Sequence, residues 1–141
     1  MPALSDFAGT WQLTRRILDR RAGVEGHFAG TASLLRDGAG LAYAETGLLT
    51  LGSAPPLTAE RRYRWAEEAG GRIAVAFADG RPFHSFAPDA GTPAGTPTAT
   101  HHCPPDDYRV SYDFTLWPDW TAQWEVQGPR KDYRMESRYR R

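Results

Sequence analysis

From Gly9 to Arg140 the chain repeats one pattern: runs of about six to twelve residues in which apolar and polar side chains alternate, each closed by Gly, Pro or Asp. A strand turns successive side chains to opposite faces, so a period of two marks half-buried antiparallel strands. An amphipathic helix would instead repeat its apolar positions roughly every 3.6 residues. No segment here sustains that period, and no substantial helix is expected.

The first run, Gly9 to Asp19, puts Trp11, Leu13, Arg15 and Ile17 on one face and Gln12, Thr14 and Arg16 on the other. His27 to Leu35 and Leu41 to Leu51 flank RDGAG, a hairpin cue. In Ala59 to Glu67 the residues Arg61, Tyr63 and Trp65 share a face. Arg72 to Ala78 sets Ile73, Val75 and Phe77 against Ala74, Ala76 and Ala78, a small face suited to neighbouring side chains or to a lumen. Phe83 to Phe86 opens a sixth strand that passes into PDAGTPAGTPTAT, whose composition is that of a mobile loop. Thr98 to Cys103 is stopped by Pro104-Pro105, and Tyr108 to Leu116 turns Tyr108, Val110, Tyr112 and Phe114 inward. Trp120 to Gln127 and Asp132 to Arg140, joined by GPRK, complete about nine or ten strands.

Consecutive hairpins without a long crossover leave exposed edges unless the sheet closes on itself. The expected fold is all-β: a single antiparallel up-and-down barrel formed by one domain over residues 1–141, with two stacked sheets as the alternative. Its 17 Lys and Arg balance 17 Asp and Glu, so no global field draws the chain to nucleic acid or to an acidic membrane. Arg and aromatic residues interleave at Arg61 to Trp65 and Arg134 to Arg141, but alternation turns many of those rings inward, away from a stacking platform. Cys103 is the sole cysteine, the N-terminus lacks the charged and apolar regions of a leader, and no apolar run approaches the roughly 18 residues that span a bilayer. A cytoplasmic protein is expected, with no membrane partner, and a homodimer is compatible with the sequence.

If Trp11 and Trp65 point inward, alternation puts Arg15 and Arg61 inside as well, facing Tyr43 and Glu45. Buried charge must pair, be hydrated or meet a ligand. Two readings follow: a salt bridge from Glu45 to Arg15 or Arg61 that plugs the barrel, or a pocket for a small, anionic, partly apolar ligand gripped by one of those arginines. For the pocket the candidate contacts are Arg15, Tyr43, Glu45, Arg61, Tyr63, Trp65, His84, Tyr112 and Trp124, with His101 and Arg130 near the mouth.

The stretch HHCPPDDY, residues 101–108, invites a metal reading. Alternation, however, sends His101 and Cys103 to one side and His102 to the other, so a site would need His84 as a third ligand, with Asp106 as an optional fourth. The expected assignment is no metal and no cofactor, with a haem or metal protein using His84 and His101 kept as an alternative. Cys103 beside two histidines could also serve as a nucleophile, although no orienting third group is assigned. In GPRKDY, Arg130 and Lys131 would sit at a hairpin tip, as a rim contact for an anion or as a solvated turn.

Gly9-Thr10-Trp11, opening the first strand, resembles the Gly-x-Trp signature of lipocalins and their calycin relatives. That resemblance implies a Trp closing one end of the barrel beneath an Arg of the last strand, a role for Arg138 or Arg140 here. Without a lipocalin-style C-terminal helix or a helical lid, the chain looks closer in shape to a compact barrel of the nitrobindin sort. Calycin-like barrels include phenolic acid decarboxylases, and that likeness implies an alternative: a lyase in which Glu45, its pKa raised toward neutrality, works with Tyr43, Arg61 and Tyr63. The series GTW, LxYxExG, RxYxW, FADGRPFH, HxC with DxY, and GPRKDY also resembles an uncharacterised bacterial and fungal family of unknown function.

Overall fold

The computed structural model describes residues 2–88 and 97–141. Most of the Gly-, Pro- and Thr-rich segment expected as a mobile loop lies outside the described residues. The remainder forms ten strands: β1 (Gly9–Asp19), β2 (Val24–Asp37), β3 (Gly40–Leu51), β4 (Leu57–Glu67), β5 (Ile73–Phe77), β6 (Pro82–Phe86), β7 (Thr98–Cys103), β8 (Asp106–Asp113), β9 (Trp120–Gly128) and β10 (Lys131–Arg140). Two single turns of 3-10 helix, Leu4–Phe7 and Ala69–Gly71, are the helical elements among the described residues. None of these is long and apolar enough to cross a membrane.

The strands form one antiparallel sheet in the order β6-β5-β4-β3-β2-β1-β10-β9-β8-β7. Sequence neighbours pair as hairpins, and the first and last strands pair from Gln12 opposite Arg140 to Asp19 opposite Tyr133. This is the expected all-β barrel, nearly closed: among the described residues the hydrogen-bonded order ends between β6 and β7. Strand pairing reaches further than the alternation alone indicates. Cys103 pairs with Asp106 across Pro104-Pro105, so β8 begins two residues before Tyr108.

Alternation fixes what the barrel holds. Along β1, Trp11, Leu13 and Arg15 are buried while Gln12, Thr14 and Arg16 are exposed. In β5, Val75 and Phe77 face the interior, which places Ala74 and Ala76 on the outer surface instead of in a lumen. The long β2 and β3 approach closely where Gly30 lies opposite Gly47. A Cβ on Gly30 would come within 2.0 Å of the Thr46 carbonyl oxygen, and one on Gly47 within 2.3 Å of that of Ala29.

One end is sealed by aromatic rings. Phe7, from the N-terminal 3-10 turn, packs against Trp65, Phe114, Trp117 and Trp120, with ring centroids 5.0–5.6 Å away. Trp11 donates its Nε1 hydrogen to the Phe7 carbonyl at 2.9 Å, fixing the turn across the barrel end. The arginine over Trp11 is Arg141, 4.0 Å from the ring centroid, and neither Arg138 nor Arg140. The reason is parity. Met135, Ser137 and Tyr139 are the buried positions of β10, so Arg138 and Arg140 point outward and Arg141 is the next residue on the inner side. Arg141 also donates to the carbonyls of Ala8 and Asp6, at 2.9 and 2.7 Å, whereas Arg138 pairs with Asp119 on the surface.

Candidate functional site

Above the aromatic floor lies a cavity of about 280 Å³. Arg15, Tyr43, Glu45, Arg61, Tyr63, Trp65, His84, His101, Tyr112 and Trp124 all line it. Arg130 does not: it is exposed at the β9–β10 turn. Its neighbour Lys131 turns back instead, donating to the Tyr108 hydroxyl at 3.2 Å and pairing with Asp106 at 3.1 Å.

The inner wall carries a bonded chain of polar groups. Arg15 Nη1 and Nη2 donate to Glu45 Oε2 and Oε1 at 2.6 and 3.0 Å, and Arg15 Nε donates to Ser137 Oγ at 2.7 Å. The Tyr43 hydroxyl donates to Glu45 Oε1 at 2.7 Å and lies 2.7 Å from the Tyr139 hydroxyl. Glu45 therefore pairs with Arg15, the first of the two arginines the sequence offers. This geometry follows from strand neighbours, since Arg15 is opposite Ser137 on β10, while β2 separates β1 from β3 by about two strand spacings that the long guanidinium arm can span.

Burial pushes the Glu45 carboxyl up, but the hydrogen bonds and charge of Arg15, the Tyr43 hydroxyl and the charge of Arg61 outweigh it and hold the group below its ordinary value. For Arg15 burial likewise opposes charge, and Glu45 with the facing tyrosines overcomes it, so the guanidinium stays protonated. Tyr43 is raised well above 10 by burial, helped by Tyr139 and Glu45, and Tyr139 is pushed up to about 12, chiefly by burial. The wall is thus a fixed ion pair ringed by neutral hydroxyls. An acid or base with a pKa near neutrality, as the lyase alternative requires of Glu45, is not what this environment makes.

Arg61 differs. It lies opposite Glu45 in the β3–β4 register but is exposed at the cavity mouth, and among the described residues it has no ion-pair partner within 4.0 Å. On the other wall His84 is buried, with Nε2 2.7 Å from the Tyr112 hydroxyl and Nδ1 without a hydrogen-bond partner among the described residues. His101 and Cys103 do fall on the cavity side, with His102 outside against Asp107. Among the described residues no three His, Cys, Asp or Glu side chains are grouped to hold a metal ion.

Burial, aided by the charge of His101, lowers the His84 pKa to about 3. Below the ordinary value of 6.5 the unfolded chain takes up a proton that the folded chain refuses, so stability falls as pH drops from 6.5 toward 3. The limiting slope for one group is about 1.4 kcal/mol per pH unit. Urea unfolding between pH 6.5 and 4.5 should therefore show a steeper loss in wild type than in His84→Gln. Equal slopes would reject the assignment.

Several lining residues are not in the candidate set. Tyr133, Met135 and Tyr139 come from β10, where the basic residues draw attention but the alternate positions face inward. Phe83 is buried beside His84, although alternation would send the two to opposite faces. A register shift at Val75/Ala76 pairs Val75 with His84 and Ala76 with Pro82, leaving Phe83 as the extra residue of a bulge. Only the turn ADGRP just before it hints at such an irregularity.

A nearly closed, ten-stranded antiparallel barrel with a charged and aromatic interior cavity is the class that fold and site define together. Within that class, the chain belongs to a family of unknown function, DUF6314, whose model matches residues 7–141. A search of the curated proteins returns no match. Among solved structures, the S-type phycobiliprotein lyase CPES from Guillardia theta is similar, with a TM-score of 0.58 and 8% sequence identity over 98% of this chain and 90% of that one. At such identity the likeness is one of fold, and it agrees with a calycin-like barrel.

Proposed function

We propose that the barrel binds a small, anionic, partly apolar molecule in its cavity, with Arg61 as the anion grip. The observation that carries this is the contrast between two arginines lining one cavity: Arg15 is spent on Glu45 and Ser137, and Arg61 is not paired among the described residues. A guanidinium presents a planar fork of donors suited to a carboxylate. Tyr63, Trp65 and Trp124 supply apolar faces. The volume of about 280 Å³ lies at the small end for ligand pockets and limits the guest to a compact molecule. The fold likeness to a phycobiliprotein lyase is compatible with this reading and adds no ligand to it.

Thermal-shift screening with aromatic and fatty carboxylates tests the grip. A ligand at a hundredfold excess over its Kd stabilises the folded state by about 2.7 kcal/mol, a rise in Tm of roughly 8 °C for a chain of this size. Wild type should show such a rise and Arg61→Ala should not. If no carboxylate shifts wild type, or if the shift survives the substitution, the proposal fails.

A further inference from the structure

Phe83 occupies the cavity mouth as a ligand would. Its ring lies between Phe77 and Trp124, within 22° and 10° of parallel, at centroid separations of 4.6 and 5.1 Å. His84 and His101 meet it edge-on, at 4.7 and 5.2 Å with interplanar angles of 86° and 90°. Stacked faces and perpendicular edges are the arrangements that aromatic quadrupoles favour. Together these four side chains make a box for one flat ring, and the chain fills it with a ring of its own.

The residue that fills it stands outside the strand register. As the extra residue of the bulge, Phe83 has no register partner on β5, and on its other side β6 faces β7 across the one junction where the hydrogen-bonded strand order ends. Phe77 and Trp124, which form the faces of the box, are by contrast held in register, opposite Tyr63 and opposite Val110 and Met135. The box also lies within reach of the proposed grip. Tyr63 stacks on Phe83 at 5.7 Å, and Arg61 follows two residues away on the same face of β4. At about 3.3 Å per residue this is a separation of roughly 7 Å.

We infer that the box is a ring subsite: a planar aromatic carboxylate displaces Phe83, lies between Phe77 and Trp124, and directs its charge to Arg61. The inference rests on the anion-binding reading above and narrows that ligand to a flat aromatic acid. A saturated acid of the same charge cannot stack in the slot.

The test labels the six phenylalanines with 4-fluorophenylalanine, assigns the Phe83 resonance by its loss in Phe83→Leu, and follows the fluorine spectrum as acid is added. With benzoate the Phe83 line should move, and cyclohexanecarboxylate, its saturated counterpart, should bind about tenfold more weakly, the ratio that a lost stacking contact implies. If benzoate raises the Tm but leaves the Phe83 line in place, or if the two acids bind equally, the ring subsite is wrong and the anion grip stands. If neither these nor other carboxylates shift the Tm of wild type, the grip and the subsite fall together.

Discussion

Glu45→Ala should lower the stability of the barrel by about 3–5 kcal/mol, the cost of removing one partner from a buried ion pair. Glu45 is 3% exposed and receives both Nη groups of Arg15 and the Tyr43 hydroxyl. Without it, Arg15, itself 8% exposed, keeps only the neutral Ser137 and a cation–π contact to Phe28 at 5.4 Å. The loss should therefore reflect a stranded charge more than a missing contact. The double variant Arg15→Met/Glu45→Leu separates the two, because it removes the pair and leaves no buried charge; it should be more stable than Glu45→Ala alone. Urea unfolding at pH 7 makes the comparison. A loss below about 1 kcal/mol in Glu45→Ala would mean that water reaches Arg15 through the cavity and screens it.

The same pair marks how far the sequence could be read. Period-two alternation put Trp11, Arg15, Trp65 and Glu45 on the inner side, and the structure has them there, because parity is local and one slipped residue would expose the entire face. Parity does not rank two inward arginines. Arg15 lies deeper, beside Ser137, whereas Arg61 sits where the barrel opens, and depth along a strand depends on barrel tilt and on which end is sealed. Arg141 illustrates a neighbouring gap. The lipocalin resemblance implied an arginine over Trp11, but choosing it required the inward parity of β10, which the Arg-rich sequence obscures. Phe83 lies beyond alternation altogether, since a bulge suspends the rule by which its side chain would be placed.

These elements divide the barrel into a fixed end and a less constrained one. Phe7, Trp11 and Arg141 lock the N-terminal turn, the last strand and the floor to each other through a hydrogen bond, a cation–π contact and two main-chain acceptors. Across the β6–β7 gap the contacts are between side chains: Phe83 of β6 meets His101 of β7 edge-on, and His84 and Phe86 reach Tyr112 of β8, the latter stacked at 4.2 Å. Side-chain contacts can be exchanged for contacts with a guest, whereas a continuous hydrogen-bonded wall would have to break.

That division predicts the second large effect. Trp120→Ala should cost about 3–5 kcal/mol, the range for truncating a buried Trp. Its ring is 1% exposed, stacks on Tyr139 at 3.8 Å and 4°, and meets Phe7 and Trp11 edge-on at 5.4 and 5.9 Å. The conservative variants sharpen the point. Trp120 Nε1 has no hydrogen-bond partner among the described residues, whereas Trp11 Nε1 donates to the Phe7 carbonyl. Trp120→Phe should thus lose apolar contact alone, while Trp11→Phe also leaves a buried carbonyl unbonded, worth about 1–3 kcal/mol. Urea unfolding of the three variants should rank them with Trp120→Phe the most stable. If Trp120→Phe is as damaging as Trp120→Ala, a six-membered ring does not support the floor, and the indole shape itself is what seals the barrel.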